Sequence, residues 1–221
     1  SDGHWCAELE GDSILESEYL LMKFILSQEN EPLIDGSGRE RLEQIAEGLR
    51  LQQRPEGDWG QYPGSGMDIS ATVKAYFALK LMGDDPEAEH MVRARKLIRD
   101  HGGAERCNTF SMFYLACLGQ VPWQAVPAIP PELIMLPKWF YFHMTKISAW
   151  TRTMIVPLAV VTALRPTRQL EPDQSIDELF VDERLRRTLT VENDAPKFWR
   201  FFFQGIDRGL KFLQRIGGLP L

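Results

Sequence analysis

Apolar residues recur at helical spacing along the first half of the chain, separated by glycines, prolines and capping residues. The pattern predicts five helices. A capping residue at Asp68 or Ser70 opens the third, which ends at Gly83, while Asp85 and Pro86 are typical of the cap and first turn of the fourth. The predicted ranges are about 14–26, 39–52, 68–83, 85–103 and 108–119.

The five helices differ in how their polar residues are distributed. The second and fourth carry apolar residues on one side only, which is typical of an outer helix. The first, third and fifth are more apolar, and the third is apolar nearly all round, which predicts an inner layer. No segment alternates convincingly with period two, so we expect an all-α fold of alternating outer and inner helices.

The second half has a different pattern. Residues 121–137 contain five prolines and cannot form one continuous helix. A helix is expected over about 145–164, kinked at Pro157. Residues 171–195 are predicted to be an acidic surface segment, because they hold eight acids and three arginines, a net charge of −5 (3 − 8 = −5). Residues 196–216 form a further predicted helix, rich in aromatic residues.

Composition narrows the class of protein. The 221 residues suffice for a sizeable core, and the net charge of −6 argues against a nucleic-acid partner. Three cysteines show no metal spacing and no even framework, so we expect buried, reduced thiols. No uncharged apolar run approaches the length of about 18 residues that a membrane-spanning helix needs, and no secretory signal peptide is recognisable.

A Gly-x-Trp step occurs twice, at Gly3–Trp5 and Gly57–Trp59, 54 residues apart. Such a recurrence indicates a helix-pair repeat. In the second copy Gln53 precedes the step, at the end of one predicted helix, and Trp59 precedes the next helix. Glycine permits the turn, and tryptophan can bury its ring while its N–H finds an acceptor, so we expect the motif to tie neighbouring helix pairs together.

This Gln…Gly-x-Trp pattern resembles the QW motif of the class II triterpene cyclases. Further segments resemble bacterial squalene–hopene cyclases, in the family's order, over nearly the whole chain. They are residues 16–21 (ESEYLL), 61–64 (QYPG), 72–80 (TVKAYFALK), 121–123 (VPW), 129–132 (IPPE) and 149–152 (AWTR). The resemblance implies an α/α barrel of inner and outer helices with QW-type turns, in which residues 1–221 form the smaller, N-terminal domain of a two-domain enzyme.

The chain lacks the family's catalytic acid. Those enzymes protonate an alkene with an Asp-x-Asp-Asp cluster, and no such cluster occurs here. The nearest sequence, Asp84-Asp85, is interpreted as helix capping, and it does not extend into the Asp-Asp-x-x-Asp magnesium motif either. The resemblance places the acid in a larger barrel that would follow Leu221, so we expect no catalytic residue, metal or cofactor here. The chain would be inactive by itself, and its partner would be that larger domain, in cis or in trans.

Four residues are candidates for the wall of a substrate cavity. Glu18 interrupts an otherwise apolar helix, and the resemblance places it toward the cavity between the two domains; a solvated face or a local salt bridge is the alternative. Phe110, Phe113 and Trp150 could stabilise carbocations through their ring faces, although spacing by itself equally predicts core packing. Trp150 and Phe110 also match aromatic residues of the family.

Two positions depart from the family's pattern. Lys74 stands where many relatives have an acid, and Asn108 replaces a basic residue. These changes put the family's polar network at the back of the cavity in doubt for this chain. The four histidines show no helical metal spacing, and no Ser/His/Asp or Cys/His arrangement is supported.

The aromatic helix over residues 196–216 predicts contact with a membrane surface. It is too short and too charged to span a bilayer, but aromatic and basic residues alternate as in interfacial helices. Packing within the protein is the alternative. In the family this region forms an apolar plateau through which squalene enters, which implies a peripheral protein on the inner face of a bacterial membrane. The membrane-contact candidates are Trp199, Phe201, Phe202, Phe203 and Ile206.

Three functions are compatible with these patterns. The first is a domain of a metal-free cyclase that acts on squalene or a related polyprene. The second is a stand-alone membrane-binding or scaffolding domain that has lost catalysis. The third, a subunit like the β subunit of protein prenyltransferases, needs an Asp/Cys/His zinc site that the sequence does not offer. A second copy of the chain is a further candidate partner.

Overall fold

The computed structural model describes residues 12–31, 38–62, 64–140, 143–189 and 197–215. These residues form helices and turns and contain no β-strand, with one isolated antiparallel bridge between Gly60 and Met67. The all-α prediction is confirmed. The helices are α1 (Ser13–Ile25), α2 (Gly38–Gln52), α3 (Ile69–Met82), α4 (Glu89–Asp100), α5 (Thr109–Cys117), α6 (Ala149–Leu164), α7 (Glu183–Arg186) and α8 (Lys197–Arg215).

Short 3-10 turns connect several of these helices. The proline-rich stretch after α5 contains only two of them, Trp123–Ala125 and Pro131–Met135, so the prediction that it is not one helix is confirmed. The remaining 3-10 turns within the described ranges are Ala104–Arg106, Met144–Lys146, Pro172–Gln174 and Asp177–Leu179.

The chain divides into two compact units. The first holds the described residues up to Tyr114 together with Leu170–Asp182, and the second holds Leu115–Gln169 and the described residues from Glu183 onward. This division could not be predicted from the sequence, because the break falls inside α5 and residues 170–182 return to the first unit.

Helix α3 is the centre of the first unit. Asp68 caps its start by accepting a hydrogen bond from the Ala71 N–H (2.7 Å), and Gly83 ends it in the left-handed conformation with φ 108°. Every residue from Ser70 to Met82 is buried, which confirms the predicted inner position. Helix α3 contacts α1, α2, α4 and the 3-10 turn Ala104–Arg106.

The predicted inner position holds for only one side of α1. Ser17, Leu20 and Leu21 are buried on that side, but Leu15 and Met22 are exposed on the other. Helix α1 is therefore buried on one side only, and its outward side carries the apolar residues Leu15 and Met22. The hydrophobic pattern could not distinguish a helix buried on both sides from one that presents an apolar side outward.

The predicted start of α4 is wrong. Residues Asp85 to Ala88 form a turn, in which the Asp85 carboxylate accepts from the Glu87 N–H (2.9 Å) and the Asp85 carbonyl accepts from the Ala88 N–H (2.9 Å). The helix begins only at Glu89, with Ala88 as its N-cap. Asp85 therefore closes a local turn instead of capping the helix.

Residues 170–182 are fastened to the first unit. Ile176 and Leu179 are fully buried, and the Glu178 carboxylate accepts hydrogen bonds from Lys80 (2.6 Å) and from the Tyr76 hydroxyl (2.9 Å). Burial and the adjacent Glu178 raise the pKa of Tyr76. The charge count predicted an acidic surface here, and it missed this buried apolar side, because local charge says nothing about packing.

Helix α6 is the longest element of the second unit before residue 183. Ser148 caps it by accepting from the Thr151 N–H (3.1 Å), and the helix continues through Pro157. The Thr162 hydroxyl lies within hydrogen-bond distance of the Ile129 carbonyl (2.9 Å) as well as of the Leu158 carbonyl of its own helix (2.8 Å), so the proline-rich stretch lies against α6 at this point. The kink predicted at Pro157 stays a prediction.

Candidate functional site

The Gln53–Trp59 segment joins three helices of the first unit. The Trp59 indole N–H donates to the Leu49 carbonyl in the last turn of α2 (2.8 Å). The Gln53 side-chain amide donates to the Gly57 carbonyl (3.0 Å) and to the His90 carbonyl in the first turn of α4 (2.9 Å). The Leu49 carbonyl is one of the last four of α2, which have no helical partner, so the indole supplies a bond that the helix lacks.

Gly57 is required by its backbone and by its surroundings. Its φ of 100° lies in the left-handed region, and a Cβ there would lie 2.7 Å from the Cβ of Arg93 on α4. Trp59 itself is fully buried, and its backbone N–H donates to the Thr72 hydroxyl of α3 (3.1 Å). Gly3 and Trp5, the first copy of the motif, lie outside the described residues.

A partly buried ion cluster links the same helices. Arg50 at the end of α2 donates to both carboxylate oxygens of Asp84 (2.6 and 3.1 Å), and the His90 Nε2 lies 2.7 Å from Asp84 Oδ2. Burial would raise the pKa of Asp84, but the hydrogen bonds from Arg50 and His90 outweigh it and lower that pKa below its ordinary value. Asp84 therefore acts as a structural anion, not as a helix cap.

Glu18 is the polar centre of a second cluster, formed by α1, α3 and α5. Its Oε1 lies 2.5 Å from the Lys74 ammonium, and its Oε2 accepts a hydrogen bond from the Tyr114 hydroxyl (3.4 Å). Lys74 is buried, while a quarter of the Glu18 side chain (25%) is exposed. Glu18 thus combines the predicted local salt bridge with an accessible edge, and these two interpretations of the residue are compatible.

Exposed apolar residues share the sides of α1 and α5 on which Glu18 and Tyr114 lie. Leu15 and Met22 lie three residues before and four after it, so they share its side of α1, and both are exposed. Phe110 lies four residues before Tyr114 on the same side of α5 and is 43% exposed. We call this surface, formed by Leu15, Glu18, Met22, Phe110 and Tyr114, the Glu18 face.

The other two cavity candidates lie elsewhere. Phe113 is buried, as core packing predicts, and it is not part of the exposed Glu18 face. Trp150 belongs to the second unit, in the first turn of α6, where its side chain is 70% exposed. Sequence reasoning missed Tyr114, although its spacing of four residues from Phe110 was a usable signal.

Helix α8 presents aromatic residues to solvent in the second unit. Phe201 is 73% exposed, and Phe202 and Ile206 are also exposed, while the side chains of Trp199 and Phe203 lie outside the described part. The opposite side is held by polar contacts, since Asp207 accepts from the Ala128 N–H (2.8 Å) and pairs with Lys211 (2.6 Å). Among the described helices, none is both long and apolar enough to cross a membrane.

Two of the three cysteines are described, and both are free and buried. Burial raises the pKa of the Cys107 thiol to about 12 and that of the Cys117 thiol to about 11. Thiols with such pKa values carry almost no thiolate near neutral pH, so the prediction of buried thiols is confirmed for these two residues.

Comparison with known proteins identifies the family. Residues 1–220 match the squalene-hopene cyclase N-terminal domain. The squalene–hopene cyclase of Zymomonas mobilis is 41% identical over 209 residues, which cover 95% of this chain and 30% of that protein. The dammaradiene synthase of Dryopteris crassirhizoma is 33% identical over 221 residues (99% and 31%), and the squalene–hopene cyclase of Alicyclobacillus acidocaldarius is 30% identical over 226 residues (99% and 33%). The chain spans about a third of the length of these relatives. It belongs to the squalene–hopene cyclase N-terminal domain family.

Proposed function

We propose that this chain forms one wall of a cavity in which squalene, or a related polyprene, is cyclised by proton-initiated carbocation chemistry. The observation that carries the proposal is the Glu18 face, where an oriented carboxylate lies among exposed apolar and aromatic side chains. Such a surface suits a long hydrocarbon with a transient positive charge. The relatives that bear cyclase names support the same chemistry.

Each exposed aromatic residue has a role in this proposal. The faces of aromatic rings attract cations, so Phe110, one turn before Tyr114 on α5, can stabilise positive charge on the substrate. Trp150, exposed on the second unit, is proposed for the same role. Phe113 packs beneath the surface and is assigned support, not substrate contact.

The proton must come from another part of the enzyme. The chain has no Asp-x-Asp-Asp sequence, and it covers only about 30% of the Zymomonas mobilis relative. We therefore assign the acid to a larger catalytic domain, which acts with this chain in cis or in trans. The alternative, a membrane-binding or scaffolding domain without catalysis, would use the same exposed surfaces without any chemistry.

The decisive experiment is incubation with squalene, read by mass spectrometry of the extracted products. The chain by itself is expected to leave squalene unchanged, whereas the chain combined with the remainder of the Zymomonas mobilis relative, fused or in trans, is expected to form cyclic products. Cyclisation by the chain without that domain would require an acid that the sequence does not show. Squalene left intact by the combination would favour the scaffolding alternative.

Membrane contact by α8 is a separate part of the proposal. Squalene has a negligible aqueous concentration, so an enzyme that takes it from a bilayer benefits from an apolar surface at the entrance. We expect the chain to co-sediment with liposomes, as a peripheral protein of the inner face of a bacterial membrane would. Replacing Phe201, Phe202 and Phe203 by Ser should weaken the binding, because each replacement removes apolar area.

A matched control separates membrane contact from general surface polarity. Tyr62 is similarly exposed (65%) but lies in the first unit, so Tyr62→Ser should leave liposome binding unchanged. Circular dichroism establishes that the parent and the triple variant are both folded. Equal liposome binding by the two would then show that α8 does not contact the bilayer.

A further inference from the structure

Lys74 occupies an unusual place for a lysine. It lies in the middle of α3, where every residue from Ser70 to Met82 is buried, and only 3% of its side chain is exposed. Removing an ammonium group from water costs several kcal/mol unless a charged or polar partner replaces the lost hydration. Glu18, with its Oε1 2.5 Å from the ammonium, is that partner.

The pair fixes the state of Glu18 as well. Lys74 occupies one carboxylate oxygen and the Tyr114 hydroxyl donates to the other, so both oxygens are held from within the protein. An ammonium this close to the carboxylate offsets its negative charge. The accessible edge of Glu18 is therefore part of a pair with no net charge.

This matters for a carbocation close to the Glu18 face. A free carboxylate can take a proton from the carbon next to the cationic centre; the C–H electron pair then becomes a C=C bond, the carboxylate becomes a carboxylic acid, and cyclisation ends early. An unpaired ammonium at the same place would repel the cation. A neutral pair does neither.

We propose that Lys74 is a positioning residue that determines product specificity: by pairing with Glu18 it keeps this wall of the cavity electrically neutral and prevents early deprotonation of the substrate cation. The inference rests on the proposed function and goes beyond it, because it assigns the outcome of the reaction to a lysine that does not contact the substrate.

The chain offers a matched control on the same helix. Lys80 is also buried in α3, with 7% of its side chain exposed, and it also pairs with a glutamate, Glu178 (2.6 Å). That pair fastens residues 170–182 and is not part of the Glu18 face. Lys80→Met therefore removes a buried cation with similar structural consequences and should leave the product ratio unchanged.

The experiment is a double-mutant cycle in the cyclising combination of chain and larger domain. Lys74→Met leaves the Glu18 charge uncompensated and should raise the fraction of incompletely cyclised alkenes by about tenfold, which corresponds to roughly 1.4 kcal/mol between competing barriers. Glu18→Gln leaves the Lys74 charge uncompensated and should slow cyclisation. The double variant should resemble the parent more closely than either single variant does, which a purely structural loss would not produce.

The comparison within the Glu18→Gln background keeps the test valid if Lys74→Met does not fold. Removing Lys74 in that background should restore the rate, and a further decrease would overturn the inference. A folded Lys74→Met variant with the product ratio of the parent would overturn it as well, while the proposed function would stand. Absence of cyclic product from the unsubstituted combination would instead refute the proposed function, and this inference with it.

Discussion

Trp59→Ala tests the role of the Gln53–Trp59 segment most directly. Trp59 is fully buried, so the substitution leaves a large cavity between α2 and α3. Truncating a buried aromatic residue to alanine costs about 3–5 kcal/mol. It also leaves the Leu49 carbonyl without its donor, and an orphaned buried polar group costs about 1–3 kcal/mol.

These two contributions overlap, because part of the measured cost of truncation is lost hydrogen bonding. A total loss of roughly 4–6 kcal/mol is therefore expected. Single domains are stabilised by only about 5–15 kcal/mol, so the variant should be close to unfolded at room temperature. The effect is measured as the shift of the urea midpoint by circular dichroism, at constant slope.

Two further variants separate the contributions. Trp59→Phe keeps most of the ring but removes the N–H, so it should cost about 1–3 kcal/mol. Trp139→Ala is the matched control, because Trp139 is 79% exposed and its loss should change stability by less than about 0.5 kcal/mol. If Trp59→Ala were as stable as Trp139→Ala, the indole would not hold the helices together, and the structural interpretation of the motif would be wrong.

Three other outcomes follow from the geometry of the first unit and α5. The pKa of Asp84 is lowered in the folded protein, so ionised Asp84 stabilises the fold at every pH above its unfolded pKa of about 3.9, and this stabilisation is lost as the pH falls through the folded pKa. Asp84→Asn should therefore be less stable than the parent in urea at pH 7, and the difference should shrink below about pH 4. Gly57→Ala should lower the free energy of unfolding, measured in urea, by more than about 1 kcal/mol, because of the positive φ and the close contact with α4. Cys107 and Cys117 should react with iodoacetamide only after unfolding, and fast labelling of either residue in the native protein, located by mass spectrometry of its peptide, would contradict their burial.

Features that depend on neighbouring residues could be predicted from the sequence. The limits of α3 follow from Asp68 and Gly83, which act on the backbone within one turn of their own positions. The start of α5 is similar, since the Asn108 side chain accepts from the Ser111 N–H (2.9 Å). Such signals are readable because cause and effect lie in the same few residues.

Features that depend on distant residues could not be predicted. The Asp84-Asp85 pair has the composition of a helix cap, but the Asp84 carboxylate instead accepts a hydrogen bond from Arg50 at the end of α2. Lys74 and Glu18 are 56 positions apart, and the residues around each of them do not indicate the other as its partner. The resemblance pointed to Glu18, whereas the lysine that forms an ion pair with it became evident only from the fold.

The polar residues of α3 explain how fold and site are connected. Five of them make tertiary contacts: Ser70 accepts from the backbone before α5, Thr72 holds the backbone of Trp59, Lys74 pairs with Glu18 on α1, and Tyr76 and Lys80 bind residues 170–182. A helix buried along its length cannot leave such groups unpaired, since each would cost stability. Because α3 is buried, its polar side chains must find partners, and those partners belong to the elements packed around it. Lys74 meets this requirement by pairing with Glu18, so the same ion pair that allows α3 to be buried also offsets the charge that the proposed substrate would meet at the Glu18 face.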